Sequence, residues 1–188
     1  MEIKFILKNE LSTAPQQRLK TIEETCFEIS SEEIMKNGEK GHPFGAIECG
    51  VLVLLDGGEI VGNAYVYKRQ AEYDGQKYFL GGIGGLAVMP EYRGMGYARQ
   101  LTAQALNIAA ELGVDIACLF MDRDNPLHKF YASLGYKFLD RRCYYIDSLQ
   151  KEAYFDNVMI LGLNDKSLAE KMLSTSYKFH YGEEEGCW

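Results

Sequence analysis

The chain has 188 residues, of which 47% are hydrophobic and 25% are charged, with a formal net charge of -7 and a sequence pI near 5.1. A chain of this length can bury roughly 70% of the surface that its unfolded state exposes, so we expect one domain with one core over residues 1–188. The negative charge disfavours nucleic acid and anionic membranes as partners, and it is compatible with a cationic substrate.

Cysteine usage and the N-terminal residues bear on the cellular compartment. The five cysteines are odd in number and show no C-x-x-C spacing, which argues against a disulfide framework and against a zinc site. We therefore expect reduced thiols and no metal ion. Residues 1–8 lack the apolar core of a signal peptide, and no apolar run approaches the roughly 18 residues of a membrane span. These features predict a cytoplasmic protein.

The first part of the chain predicts one strand and two helices. Residues 3–7 form the expected strand, and Ser12 or Thr13 can cap a helix. Residues 30–33, Ser-Ser-Glu-Glu, match a capping box and predict a short second helix that ends near residue 38. A loop is expected over residues 38–45. The apolar face of the first helix repeats at helical spacing through Leu19, Ile22, Cys26 and Ile29.

The middle of the chain predicts three strands, a long helix and a further strand. Residues 51–55, 60–69 and 77–88 are apolar segments separated by glycine-containing turns, which predicts an antiparallel meander. An apolar stripe at helical spacing runs from Ala98 to Leu112 and predicts a long helix that ends at Gly113. The apolar run over residues 114–121 is continuous, as in a buried central strand.

The last part predicts two helices and three strands. Pro126 suits the first position of a helix that closes at Gly135, and Asn164 can cap a short final helix. Strands are expected at residues 136–140, 143–146 and 158–163. The whole order predicts a mixed α/β fold, with a mostly antiparallel central sheet flanked by helices.

Residues 81–98 carry the most informative motif. The apolar run 86–89 stops at Pro90, and Arg93-Gly94-Met95-Gly96-Tyr97-Ala98 leads into the long helix. A helix start preceded by glycines offers unpaired N–H groups to a phosphate, and Arg93 adds a positive charge. The alternative is a strand-to-helix connection in which the glycines only relieve steric strain. The G-x-G-x-x-A pattern at residues 82–87 overlaps the strand instead of opening a helix, and the chain has no P-loop sequence.

Three features of this stretch together resemble the acyl-CoA pyrophosphate loop of the GNAT superfamily of N-acetyltransferases. The strand ends in Val-Met-Pro, Arg93 follows Pro90 by three residues, and residues 93–98 read Arg-x-x-Gly-x-Ala. The resemblance spans roughly residues 3–163, with specific motifs at 83–138. It implies a GNAT fold splayed at the acyl-CoA site and direct acetyl transfer from acetyl-CoA to an amine. The positions that it implies for donor binding are Leu86, Ala87, Val88, Arg93, Gly94, Met95, Gly96, Tyr97, Ala98 and Asn125.

A second stretch, residues 130–136, resembles the GNAT motif whose tyrosine reaches the CoA sulfur. This implies that Tyr131 is the general acid that protonates the departing thiolate. The alternative is a tyrosine that merely packs on its helix. Asn125 precedes Tyr131 by six residues, where the family interval is more often seven. We expect His128 to be a surface residue.

The general base is not identified by the resemblance. Many GNAT enzymes carry a glutamate on the strand beside the thioester, but this chain has Gly84 there and no carboxylate over residues 78–85. Either water relays the proton, or a carboxylate arrives from Glu48, Asp156 or the acidic residues 183–185. A terminal acidic run can also be a simple solvated tail.

Four features together resemble the aminoglycoside 2'-N-acetyltransferases: the hairpin spacing over residues 51–88, the helix at residues 130–133, the strand near Asp156 and the terminal Trp188. That resemblance implies that Glu48, Asp156, Glu183 and Trp188 bind a small cationic amine acceptor, and that residues 164–188 form an extension closing its site. Gly84 and the additional residues 165–181 depart from that family. A peptide or protein amine as acceptor, and a non-catalytic CoA-binding regulatory domain, remain alternatives. A homodimer is also left open.

Overall fold

The computed structural model describes residues 1–27, 47–146 and 151–185. The predicted second helix and the loop at 38–45 lie outside these residues. No helix among the described residues has the length and apolar character to cross a membrane. The helices are α1 Thr13–Phe27, α2 Tyr97–Glu111, α3 His128–Ala132 and α4 Lys166–Ser174. The strands are β1 Glu2–Leu7, β2 Ile47–Asp56, β3 Glu59–Tyr73, β4 Gln76–Val88, β5 Ile116–Phe120, β6 Lys137–Phe138, β7 Cys143–Ile146, β8 Glu152–Phe155, β9 Val158–Gly162 and β10 Phe179–Glu185.

Seven of the described strands form one sheet in the order β1-β2-β3-β4-β5-β9-β6. Its neighbouring strands are antiparallel except for β4 and β5, which are parallel. The predicted β2-β3-β4 meander is confirmed, and β5 is central as predicted. The mixed, mostly antiparallel fold class is therefore confirmed.

A second sheet has the order β10-β7-β8, with β10 parallel and β8 antiparallel to β7. The sequence prediction included β7 but neither β8 nor β10. The sequence of β10, Phe-His-Tyr-Gly-Glu-Glu-Glu, lacks a continued alternation of apolar residues, so its strand depends on tertiary pairing with β7.

The helices pack on two faces of the main sheet. Along β2, Val51 and Val53 pack with α1, whereas Leu52 and Leu54 pack with α2. Because successive side chains of a strand point to opposite faces, α1 and α2 cover opposite sides, which we call the α1 face and the α2 face.

The remaining elements divide between these two faces. Leu119 and Met159 share a cluster with residues of α2 and α3, so α3 lies on the α2 face. The intervening Cys118 and Ile160 instead cluster with residues of α4 and the second sheet. Alternation along β5 and β9 therefore places α4 and the second sheet on the α1 face.

Several element boundaries differ from the prediction. β5 begins at Ile116 instead of residue 114, because the Val114 N–H donates to the Ala109 carbonyl and closes the end of α2. α3 covers only His128–Ala132 of the predicted 126–135. β3 is longer than predicted and pairs with β4 as far as Tyr73. β6 is limited to Lys137–Phe138 of the predicted residues 136–140.

The predicted cap of the last helix was wrong by one residue. Asp165 is the N-cap of α4, and its Oδ1 accepts hydrogen bonds from the Leu168 N–H and the Ser167 hydroxyl, both at 2.8 Å. Asn164 instead donates its side-chain amide to the Ala110 carbonyl. These hydrogen bonds lower the pKa of the Asp165 carboxyl, since they favour its charged form.

Replacing Asp165 with alanine should lower the free energy of unfolding by about 1 kcal/mol, because the first turn of α4 loses its acceptor. Asp165→Asn keeps an oxygen at the cap and should retain most of the stability. Urea unfolding followed by far-UV circular dichroism measures both variants. An alanine variant as stable as the parent would contradict the cap.

Candidate functional site

β4 and β5 separate soon after they meet. Their parallel ladder joins Leu80 to Ile116 and Gly81 to Ala117 and then ends. Beyond it lie residues 82–88 of β4 and 118–120 of β5, and no described strand fills the space between them; we call this space the β4–β5 cleft. Buried backbone N–H and C=O groups need hydrogen-bond partners, and an extended ligand can supply them as an added strand does. The predicted splay of the sheet is confirmed.

A β-bulge in β4 lies beside this cleft. Between the pairs Asn63–Ala87 and Tyr65–Gly84, β4 advances by one residue more than β3. Gly85 accommodates the bulge with a φ of +54°, a left-handed conformation that glycine adopts without steric cost. The buried Asn63 amide donates to the Gly85 carbonyl at 2.7 Å, which fixes the bulge in place.

The turn between β4 and α2 presents bare backbone to solvent. Gly96 is the N-cap of α2, with a φ of +80° and no side-chain cap. The first N–H groups of a helix have no partner within it, so those of α2 are available to an anion. A Cβ on Gly94 or Gly96 would meet no atom within 4 Å. The backbone here can therefore approach a phosphate group closely.

Arg93 and Tyr92 hold this turn in position. The Arg93 Nε donates to the Val88 carbonyl at 3.0 Å, while the side chain remains exposed. The Tyr92 hydroxyl donates to Asp56 at 2.9 Å and ties the turn to the β2-β3 hairpin. The structure thus joins two groups of predicted donor-binding residues end to end. They are Leu86, Ala87 and Val88 on β4, and Arg93, Gly94, Met95, Gly96, Tyr97 and Ala98 around the start of α2.

Tyr131 lies on α3, on the α2 face and half-buried. It belongs to one apolar cluster with Ile83 of β4 and Leu119 of β5, which border the cleft. Its ring meets Tyr136 edge-on, with 5.8 Å between ring centroids. Burial raises the pKa of the Tyr131 hydroxyl above its ordinary value, so the phenol keeps its proton at neutral pH. A protonated donor is therefore present on this side of the cleft.

Asn125 and His128 build the turn that precedes α3. The Asn125 Oδ1 accepts from the Leu127 N–H at 3.0 Å, and the Asn125 carbonyl accepts from the His128 N–H. His128 is half-buried, and its ring lies 6.1 Å from that of Phe138. Asn125 is exposed and uses its amide oxygen to hold the turn, which leaves its NH₂ group for other contacts.

The α1 face carries polar groups beside the bulge that the sequence prediction identified only in part. Glu48 is the cross-strand partner of Tyr67, and its carboxylate pairs with the Lys8 ammonium at 2.9 Å. Its side chain is 19% exposed. Together with three further residues, it forms what we call the α1-face cluster. The members are Glu23, Glu48, Tyr65 and Tyr67.

Two tyrosine rings of this cluster occupy the space above the glycines of β4. A Cβ added to Gly84 would lie 2.7 Å from the Tyr67 ring, and one added to Gly85 would lie 2.7 Å from the Tyr65 ring. The Cβ position of Gly85 also lies 3.6 Å from the Oε1 atom of Glu23. The Tyr65 hydroxyl is within hydrogen-bonding reach of the Glu23 carboxylate. A carboxylate from α1 therefore reaches the bulge.

The cluster shifts the proton affinities of its own members. Burial raises the pKa of the Glu23 carboxyl above its ordinary value, and the negative charges of Glu48 and Glu24 raise it further. The Tyr65 hydroxyl opposes this by stabilising the charged carboxylate. The pKa values of the Tyr65 and Tyr67 hydroxyls are also raised, mainly by burial.

Sequence reasoning missed Glu23, although the sequence contains a signal for it. Glu23 lies four residues after Leu19 and three before Cys26, on the same helical stripe as the buried Ile22. A carboxylate within an apolar stripe is unusual, because burial penalises its charge. That departure from the apolar pattern is the signal.

β10 approaches the α1-face cluster along β3. The rings of Phe179 and Tyr73 lie 6.2 Å apart, and the Tyr181 ring lies 5.3 Å from the Arg69 guanidinium. Tyr73, Arg69 and Tyr67 are separated by even numbers of residues, so they lie on the same face of β3. The direction of β10 from Phe179 to Tyr181 is therefore toward the cluster.

Among the other predicted acceptor-binding residues, Asp156 is not part of this cluster. Asp156 follows β8, pairs with Arg142 at 3.6 Å, and lies on a surface cavity beyond the end of β5. Glu48, which does belong to the cluster, is on β2, three strands away from β5 in the sheet order. Glu183 belongs to β10, and Trp188 lies outside the described residues. No group of three or more potential metal ligands occurs in the part of the chain that the structure describes.

Comparison with known proteins identifies the family. The sequence profile of the acetyltransferase (GNAT) domain matches residues 10–139. A search of curated proteins finds no match. The GNAT family N-acetyltransferase YhbS from Escherichia coli, solved in complex with CoA, is similar over 95% of this chain and 87% of its own, with 21% identity and a TM-score of 0.60.

Two further solved structures share the fold. A GCN5-related N-acetyltransferase from Anabaena variabilis matches 77% of this chain with 22% identity and a TM-score of 0.58, and this chain spans 34% of its length. The ribosomal-protein-S18-alanine N-acetyltransferase from Escherichia coli matches 86% of this chain and 94% of its own, with 19% identity and a TM-score of 0.54. At such identities the similarity is one of fold.

Proposed function

The chain belongs to the acetyltransferase (GNAT) domain family, and we propose that it transfers the acetyl group of acetyl-CoA to a primary amine of a small, cationic acceptor. The β4–β5 cleft is the observation that carries this proposal. It opens directly toward the glycine turn, so an extended molecule with a phosphate end can follow β4 and reach the start of α2.

The residues around the cleft fit acetyl-CoA as the donor. Residues 86–88 have no described strand on the β5 side, which leaves room there for the pantetheine arm, and Arg93 with the N–H groups of residues 94–98 suits the pyrophosphate. The Asn125 NH₂ group is a further candidate for the pantetheine arm. The donor supplies an activated acetyl group as a thioester, and the protein aligns it and controls the protons.

Tyr131 is our candidate for the general acid. It is half-buried in the cluster that contains the cleft-bordering Ile83 and Leu119, and its raised pKa keeps the phenol protonated. When the C–S bond breaks, the sulfur leaves as a thiolate. A phenol close to that sulfur can transfer its proton to it, which gives the neutral thiol of CoA.

Charge supports a cationic acceptor. Glu23 and Glu48 place two carboxylates on the α1 face beside the bulge, and carboxylates bind ammonium groups through charge-assisted hydrogen bonds. An aminoglycoside is one polycationic amine of this class. The direction of β10 supports the further proposal that residues 164–188 border the acceptor site, with Glu183 and Trp188 as contacts. Asp156 is the least supported contact, since it already pairs with Arg142.

A peptide or protein amine is the second candidate acceptor. The fold similarity to the ribosomal-protein-S18-alanine N-acetyltransferase supports this alternative. It requires an open groove on the α1 face, whereas a small acceptor suits a site that the C-terminal residues close.

Thiol release from acetyl-CoA across aminoglycosides, polyamines and peptides tests the proposal. We expect turnover of a small polycationic amine, and loss of that turnover when residues 183–188 are deleted, because the acceptor site then lacks its border. Preferred turnover of peptides, unaffected by the deletion, would support the second candidate. CoA binding without turnover of any amine would overturn the enzymatic function.

Replacing Arg93 with alanine together with Gly96→Val should weaken CoA binding far more than acceptor binding. The double variant removes one positive charge and forces a residue with a φ of +80° to carry a branched side chain. Isothermal titration calorimetry with CoA and with the amine measures both affinities. Equal losses for the two ligands would show that the turn only maintains the fold.

Tyr131→Phe should lower kcat by about tenfold to a thousandfold, because water protonates a thiolate less effectively than a positioned phenol. The KM for acetyl-CoA should change little, since the ring is retained. Single-turnover kinetics isolate the chemical step. An unchanged chemical rate would exclude Tyr131 from proton transfer.

A further inference from the structure

Tyr131 and the α1-face cluster lie on opposite faces of the main sheet. Tyr131 packs with residues of α2, whereas Tyr65 packs with Leu19 and Ile22 of α1. A continuous sheet would separate the two groups. The β4–β5 cleft interrupts the sheet beside β4. At this cleft, Ile83 of the Tyr131 cluster and Gly84 beneath Tyr67 are adjacent residues of β4 that face opposite sides.

The rings of the cluster prevent β4 from carrying its own carboxylate. Any side chain at Gly84 would clash with the Tyr67 ring, and any side chain at Gly85 would clash with the Tyr65 ring. Gly85 also has a left-handed backbone conformation, which strains any residue with a side chain. Glu23 approaches Gly85 from α1, with Oε1 at 3.6 Å from the Gly85 Cβ position. The carboxylate that β4 cannot carry is therefore supplied by the helix above it.

We propose that Glu23 is the catalytic base that takes the proton from the acceptor amine on the α1 face, opposite the acid Tyr131. This inference rests on the proposed acetyl transfer. The neutral amine forms a C–N bond with the acetyl carbon, and its nitrogen loses one proton to the Glu23 carboxylate. The C–S bond breaks, and the thiolate takes the Tyr131 proton. Solvent then removes the proton from Glu23 and returns one to Tyr131, so protons and charge balance.

The surroundings of Glu23 suit a base. The groups that face it are Tyr65 and Tyr67 of β3, Glu48 of β2, and Glu24 of α1, while residues 81–85 of β4 carry no ionisable side chain. Lys8 is engaged by Glu48, so it offsets the charge of that carboxylate. Burial and the like charges raise the pKa of Glu23, which strengthens it as a proton acceptor at neutral pH.

The pH dependence of kcat/KM in Glu23→Gln tests the proposal. The wild type should lose activity as the pH falls through the Glu23 pKa, because the protonated carboxyl cannot accept a proton. Glu23→Gln should lower kcat/KM at neutral pH by about 10²- to 10⁴-fold and abolish this acid limb. A second amine with a different pKa distinguishes the ionisation of the acceptor from that of Glu23. The limb due to the acceptor moves when the amine is changed, whereas the limb due to Glu23 does not.

Glu24→Gln is the matched control, since it removes the same charge from the next position of α1, about 100° around the helix. It should retain the wild-type activity at neutral pH and keep an acid limb, moved to lower pH because one like charge beside Glu23 is lost. Tyr65→Phe should retain the acid limb but move it to higher pH, because the hydroxyl that stabilises the charged Glu23 is lost. An acid limb that persists in Glu23→Gln would overturn the role of Glu23.

Thermal unfolding without ligands distinguishes catalysis from support of the fold. A folded-state pKa above the unfolded value contributes stability at low pH that disappears as the pH rises through the folded value. The Tm of Glu23→Gln minus the Tm of the wild type should therefore increase with pH. At neutral pH the Tm of the variant should equal or exceed that of the wild type. A clearly lower Tm at neutral pH would make Glu23 structural. Absence of turnover in the wild type would overturn the proposed function and this inference together.

Discussion

The separation of β4 from β5 is the constraint on which the site depends. Two residue pairs hold the strands together, and beyond Gly81 the backbone of β4 has no described strand on that side. Hydrogen-bonding groups left at such a position favour a ligand that completes the sheet, because an unpaired buried amide costs about 1–3 kcal/mol. The Asn63 amide and the Gly85 bulge help to define the course of β4 there.

The same separation determines where the chemistry can occur. The glycine turn and Tyr131 lie on the α2 face, while Glu23 and Glu48 lie on the α1 face. A donor that occupies the cleft can therefore present its thioester to both sides at once. In our proposal, the proton donor and the proton acceptor therefore approach the thioester from opposite sides of the cleft.

The sequence predicted the framework of this fold. The meander, α2 and the glycine turn follow from local signals, namely apolar periodicity and glycines at a helix start. Tyr131 was proposed from the resemblance of residues 130–136 to a family motif, and its role stays a prediction. β8 and β10 depend on pairing between distant segments, and their own sequences contain no such signal. The cap of α4 is Asp165 instead of the predicted Asn164, because the Asn164 side chain donates to a carbonyl of α2.

Glu23 was missed because the family resemblance predicts the carboxylate on the strand beside the thioester, which is β4. Its position is set by tertiary structure, since Tyr65 and Tyr67 cover the glycines of β4 and α1 supplies the acidic group from above. A glutamine of similar shape would satisfy the same space without the unfavourable burial of a charge. A carboxylate beside the bulge on one face and Tyr131 on the other therefore favour our proposal of proton transfer over a purely structural role for Glu23.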